Sequence, residues 1–314
     1  MPTLLIVALV GLFGQLVDGS LGMAFGVTAT TFLIALTTMS PAVISATIHL
    51  AEIGTSFVSG LSHWRFGNVD WKVVARIGIP GAIGAFLGAT VISNLSTDFA
   101  KPLMSTILLL LGVYVLVRFT FRGIDTKNLG KPLKSRFLSP LGVFAGFIDA
   151  TGGGGWGPVG TPALLASGRM EPRKVVGTID TSEFLIALAA SIGFLANLGG
   201  EGIDFAYAGF ILLGGAIAAP FAAYIVRHLP PRLLGATVGG LIIFTNVRTL
   251  IGSSVLDFGP TATWVAYAVV IAIWVGAFVY SFREWRLEAN LESADAISEL
   301  AKRNAAAAHG GTVV

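Results

Sequence analysis

Seven stretches of roughly twenty apolar residues run through this chain, at 43–61, 73–95, 103–121, 175–198, 205–227, 233–252 and 261–282. In lipid, backbone N–H and C=O groups must be satisfied internally, so only helices and closed barrels span. Apolar runs of this length select the helix, and the chain reads as an all-α polytopic membrane protein. Composition agrees. The 314 residues are 54% hydrophobic and 12% charged, against about 25% charged in soluble domains, and the mean hydropathy is +0.81.

Two further apolar regions, 3–36 and 137–167, are interrupted by Gly and Pro. The second contains four consecutive glycines and then "WGPVGTP". Gly costs about 1 kcal/mol and Pro about 3 kcal/mol relative to Ala inside a helix, so an unbroken helix is not expected there. The two regions are related. Residues 11–53 align without a gap on 142–184, with 13 identities in 43 positions. They include Asp18/Asp149, Gly22/Gly153, Gly26/Gly157, Thr30/Thr161, Pro41/Pro172 and Glu52/Glu183. Coincidence of Gly, Pro, Asp and Glu at this density marks a duplication. The offset then moves from 131 to 134, which sets Asp70 over Asp204 and Gly81 over Gly215. Each half holds one broken segment and three full spans. The first membrane repeat is 1–121 and the second 137–252, joined by a basic linker at 122–136. An extra span at 261–282 and a cytoplasmic helical tail at 283–314 follow.

Lys and Arg concentrate in cytoplasmic loops. They are dense in the linker (Arg122, Lys127, Lys131, Lys134, Arg136), in 168–174, in 227–232 and after the last span at Arg283 and Arg286, and absent from 199–204. Two consecutive cytoplasmic loops therefore bracket 137–167, which enters and leaves on one side. This is a re-entrant hairpin of two half-helices, each about a dozen residues and about 18 Å long, enough to reach the midplane. The same counting puts 37–41 outside. Segment 3–36 is then the mirror hairpin, and the two repeats are inverted. In the rival layout each broken segment is a full span and the halves are parallel.

Inverted repeats with discontinuous helices at the midplane are the architecture of secondary transporters. The second half-helices begin near 22–26 and 153–157, where free N–H groups and the positive dipole end gather. Two such ends make an anion site from Gly22, Gly26, Gly153, Gly154, Gly155 and Gly157, with hydroxyls of Ser20, Thr151 and Thr161 as further donors. The alternative is that the glycines serve helix packing. Asp18 and Asp149 either cap the half-helices or carry a proton, since intramembrane carboxylates are costly. His49 and Glu52 match Asp180 and Glu183, three residues apart on one helical face. They are read as coupling or gating groups, or as interfacial ones. Thr47 and Thr178 are expected in hydrogen bonds between helices. Asn246 and Arg248 add anion ligands through the paired guanidinium donors, unless Arg248 snorkels or pairs with Asp257. Trp156 walls the substrate cavity or fills space.

Other function classes are excluded. The chain has no Cys, so thiol catalysis and Cys-ligated metals are out. His63, His228 and His309 lie at loops or in the tail and form no ligand set. No cofactor, metal or enzymatic activity is expected. The net charge of +3 sits in short loop clusters, which fits cytoplasmic loops and not nucleic acid. The start "MPTLLIVALVGLFGQ" lacks a basic n-region and an A-x-A site and reads as mature protein. The Ala- and Gly-rich end of the tail is expected to be unstructured.

The paired arrangement resembles the sulfite exporter TauE/SafE family of membrane permeases. The resemblance is carried by "GQLVDGSLGMAFGV" (14–27), "GFIDATGGGGWGPVGTPALL" (146–165) and the loops at 67–71 and 202–205, and covers about residues 3–282. Leu21, Met23 and Ala24 stand where the second tip has glycines, so the tips are not expected to bind equally. The resemblance implies a multi-pass protein of the bacterial inner (plasma) membrane that carries a small sulfur-containing anion such as sulfite, sulfoacetate or another organosulfonate. With the tips, it implies a secondary transporter working by alternating access, with proton coupling through the acidic residues. A passive anion channel, or transport of a different small anion, is the alternative. The other expected partner is the lipid bilayer, and a homo-oligomer is left open.

Overall fold

A computed structural model describes residues 2–21, 23–121, 129–199, 203–225, 231–253 and 258–309. Among them every regular element is a helix. The first half comprises α1 (Pro2–Leu21), α2 (Phe25–Leu36), α3 (Pro41–Arg65), α4 (Trp71–Ser93) and α5 (Thr97–Phe121). The second comprises α6 (Ser135–Gly152), α7 (Trp156–Ala166), α8 (Pro172–Leu198), α9 (Phe205–Ile225) and α10 (Pro231–Ile251), followed by α11 (Pro260–His309). Six helices among the described residues are long and apolar enough to cross a membrane: α3, α4, α5, α8, α10 and the first part of α11, Pro260–Leu287. The remaining expected span, 205–227, falls on α9, which is 21 residues long.

Duplicated residues start duplicated helices. Pro41 opens α3 and Pro172 opens α8, positions where the missing N–H costs nothing. Asp70 Oδ1 accepts from the N–H groups of Lys72 (3.0 Å) and Val73 (3.2 Å) at the start of α4. Asp204 Oδ1 does the same for Tyr207 (2.9 Å) in α9.

Both broken segments double back. The Phe13 and Phe32 rings meet edge to face at 5.3 Å, so α2 returns along α1, and Leu36 lines one groove with Ile6 and Leu9. At the end of α7 the Arg169 guanidinium donates to Pro132 O (2.8 Å) and Gly130 N–H to Arg169 O (3.1 Å), tying the exit to the stretch before α6. Each broken segment is therefore a helical hairpin. The arms are unequal, however. α2 and α7 have 12 and 11 residues, near expectation, but α1 and α6 have 20 and 18. The entering arms are uninterrupted by Gly or Pro strong enough to end them: α6 absorbs Pro140.

The halves interlock. α1 lies along α9 and α6 along α4, in contacts that the duplication relates. Gly11 sits against the Ile211 carbonyl and Gly142 against the Ile77 carbonyl, and each offset is that of the sequence alignment. A side chain at either glycine would enter the opposing backbone. α3 and α8 cross antiparallel, with Phe57 and Phe184 rings at 5.8 Å. α11 lies at the edge, and only 6% of its most apolar window is buried. It continues unbroken to His309. The terminal Ala run, read as unstructured, extends the helix instead, because Ala is the best helix former.

Candidate functional site

The two tips meet at the centre of the protein. Thr30, on α2, donates its hydroxyl to the Gly153 carbonyl. A Cβ on Gly26 would lie 2.8 Å from both Gly154 Cα and Glu52 Oε1, and one on Gly157 would lie 3.1 Å from Met23 Cβ. Each tip therefore seats its glycines on the other. Gly153 and Gly154 adopt φ +70° and +147°, conformations that an L side chain resists. At the first tip the corresponding turn is made by Ala24 at φ +90°.

The duplicated aspartates cap the second arms. Asp149 Oδ1 accepts from Trp156 N–H (2.8 Å), the first residue of α7. Asp18 Oδ1 accepts from Phe25 N–H (3.3 Å), the first residue of α2. The same seven-residue reach is used twice. Asp149 is 1% exposed, and its other oxygen, Oδ2, lies 2.9 Å from His49 Nε2.

The hydrogen-bond inventory of His49 fixes a proton. Its Nδ1 is 2.7 Å from the Ser45 carbonyl, which only accepts, so Nδ1 carries a hydrogen. Ser45 spends its own hydroxyl on Ala150 O (2.6 Å). Nε2 then faces a carboxylate oxygen. Two acceptors cannot bond, so a proton sits between them, on the imidazole or on the carboxyl. This pair is a proton-holding site by count of donors and acceptors.

Glu52 lies one turn along α3 from His49. It is 3% exposed, and neither carboxyl oxygen has a hydrogen-bond partner among the described residues. Glu183 is in electrostatic range of Glu52, Asp180, Asp18 and Asp149. Asp180, the counterpart of His49, does not duplicate its bond. It accepts from the Ser59 hydroxyl, and its Oδ2 is 3.5 Å from His63 Nε2.

Other expected residues are placed differently. Trp156 is fully buried and donates Nε1–H to Ile179 O (3.0 Å) and Ser182 Oγ (3.2 Å). Thr151 is buried but faces Gly88 of α4. Gly155 packs on Asp149 of its own hairpin. Thr161 is buried and its hydroxyl has no partner among the described residues. Asn246 donates to Thr31 Oγ1 on α2 (3.1 Å). Arg248 is exposed and does not join it: residues two apart on a helix point to different faces. Thr178 accepts from Asp70 N–H (3.0 Å), whereas Thr47 donates to Val43 O of its own helix (2.7 Å). Gly22, the side chain of Ser20 and Asp257 lie outside the described residues. Sequence reasoning missed Ser45, Thr30 and Ser59. Ser45 was findable, four residues before His49 on one face. Thr30 and Ser59 act across more than 100 residues and carry no local signal.

Comparison with known proteins gives one consistent answer. The sulfite exporter TauE/SafE profile matches residues 7–249. The chain is 50% identical over 283 residues to the "Probable membrane transporter protein YtnM" of Bacillus subtilis (strain 168), covering 89% of this chain and 93% of that one. It is 27% identical over 187 residues to YdhB (59% and 74% covered) and 24% identical over 254 residues to YjnA (78% and 98% covered), which carry the same description in the same organism. No solved structure gives a significant match. With broken helices, paired tips and matched loops in place, the chain belongs to the sulfite exporter TauE/SafE family.

Proposed function

We propose that this protein is a secondary transporter for a small sulfur-containing anion, working by alternating access between inverted halves and coupled to protons. The observation that carries the reading is the meeting of two helix N-termini, α2 and α7, at a buried glycine contact. Helix N-termini attract anions through free N–H groups and the dipole. Here the first N–H of each is held by a carboxylate of the same hairpin, Asp18 or Asp149. An arriving anion competes with those carboxylates for the same donors. A proton taken up from solution onto Asp149, beyond the one already shared with His49, neutralises one competitor, so anion and proton bind together. α1 runs parallel to α9, with Gly11 on Ile211 and Gln15 by Gly215, and α6 parallel to α4, with Gly142 on Ile77 and Gly146 on Gly81; beside the antiparallel α3 and α8, these runs support the inversion. The donors recognise any small oxyanion, so a different inorganic or organic anion is the second reading, and the family supplies the preference for sulfur.

Thermal stability of the purified protein with sulfite, sulfoacetate, taurine or sulfate tests the site. A ligand at 100 times its Kd stabilises by about 2.7 kcal/mol. One sulfur anion is expected to raise the melting temperature in a graded way, and Gly154→Leu, which drives a side chain into Gly26 and Val27, is expected to abolish the effect. A rise that survives Gly154→Leu would move the site away from the tips.

A further inference from the structure

Away from the tips, at the foot of the α6–α7 hairpin, lies a cavity of about 430 Å³. Its lining combines Lys134, Arg136 and Arg169 with Phe137, Ala163 and Ala166. The volume falls in the ~300–1,000 Å³ range of small-ligand sites. None of the three cationic residues has an acidic partner among the described residues. Glu171, in the neighbouring loop, is engaged by Arg173 at 2.7 Å. That contact, first through its hydrogen bond and then its charge, holds the Glu171 carboxyl below its ordinary range. α6 adds a fourth source of positive potential. Its first turn has no side-chain cap, so the leading N–H groups point outward with the positive end of the dipole. Arg169 also bonds Pro132 O, which fixes the wall of the cavity.

We propose that this cavity binds the phosphate headgroup of an anionic phospholipid. The shared chemistry is an oxyanion held by Lys, Arg and a helix N-terminus. The apolar half of the lining decides for a lipid over a free anion. Phe137 is 42% exposed at the cavity, a surface that an acyl chain covers and that a small hydrated anion leaves wet. Basic pockets between membrane helices bind anionic headgroups in this manner. A lipid here spans the two feet of the hairpin whose tip carries Asp149, so it braces the element that the transport reading sets in motion. The headgroup site itself does not depend on that reading.

The test uses the full chain in nanodiscs of phosphatidylcholine alone or with phosphatidylglycerol, with lipid retained after detergent extraction counted by native mass spectrometry. The wild type is expected to retain phosphatidylglycerol in preference to phosphatidylcholine. Lys134→Glu with Arg136→Glu is expected to lower that retention on the order of tenfold, the scale of two lost cationic contacts. Acidic residues at a helix start are favourable, so the variant should melt normally in phosphatidylcholine. Should it not, Lys134→Gln with Arg136→Gln gives the same comparison. Equal retention by variant and wild type overturns the proposal. So does a wild type that shows no lipid preference but is stabilised by inorganic phosphate in phosphatidylcholine, which would assign the cavity to a free anion.

Discussion

Asp149 does two things with two oxygens, and different substitutions separate them. In Asp149→Asn the remaining oxygen still accepts from Trp156, and the new amide donates to His49 Nε2 without an added proton. We expect a stability change below about 1 kcal/mol, with loss of the pH dependence of anion binding. Asp149→Ala leaves both partners orphaned in the interior and is expected to cost about 3–5 kcal/mol, the scale of a broken buried pair. Denaturant melts of the two variants side by side check this. The sign of the pH effect follows from mass action. If the anion displaces an ionised Asp149 from Trp156, protonation favours the anion, and apparent affinity rises as pH falls. A titration of affinity against pH that runs the other way would sink the coupling. The duplication made Asp18 and Asp149 legible as a pair, and their capping role was one of two readings offered. The His49 bond was not legible, because it joins residues 100 apart and breaks the symmetry that revealed everything else.

At the level of elements, the hairpins were readable because two physical signals agreed: Gly and Pro where a helix should not break, and basic loops on both sides of one segment. Arm length was not readable, since apolar composition does not mark where α1 and α6 stop within apolar sequence. The tips make a paired prediction. Gly154→Ala places a methyl on the Gly26 backbone at a φ that disfavours it, and is expected to destabilise by about 1–3 kcal/mol. Ala24→Gly removes a left-handed Ala at the equivalent turn. Relief of backbone strain offsets the lost methyl contact, so the change is expected to stay within about 1 kcal/mol. Equal losses in the two melts would mean that the tips are not the strained, opposed turns described here.

For the whole molecule, the duplication read in sequence reappears as interlocked halves, with Gly11 on Ile211 and Gly142 on Ile77. Gly11→Leu and Gly142→Leu are therefore expected to fail alike, both losing folded protein in membranes, although they lie in different halves. Fluorescence-detected size exclusion reads this directly. α11 packs at the edge on α10 and α5 through Trp274 on Gly240 and Tyr280 on Phe121; these contacts precede Leu287, and truncation after Leu287 is expected to leave both the melting temperature and transport unchanged. The cargo proposed above was legible in the sequence only as an anion: helix ends favour negative charge, and the proposed preference for sulfur comes from kinship. The central claim is that an anion crosses through the paired tips together with a proton held by His49 and Asp149. Uptake of sulfite and sulfoacetate into proteoliposomes, with and without an imposed pH gradient, in wild type and Asp149→Asn, tests it most directly. The account predicts saturable uptake of at least one anion, accelerated by the gradient in the wild type and indifferent to it in Asp149→Asn. Uptake that neither saturates nor responds to the gradient, or a gradient response unchanged in Asp149→Asn, would contradict it.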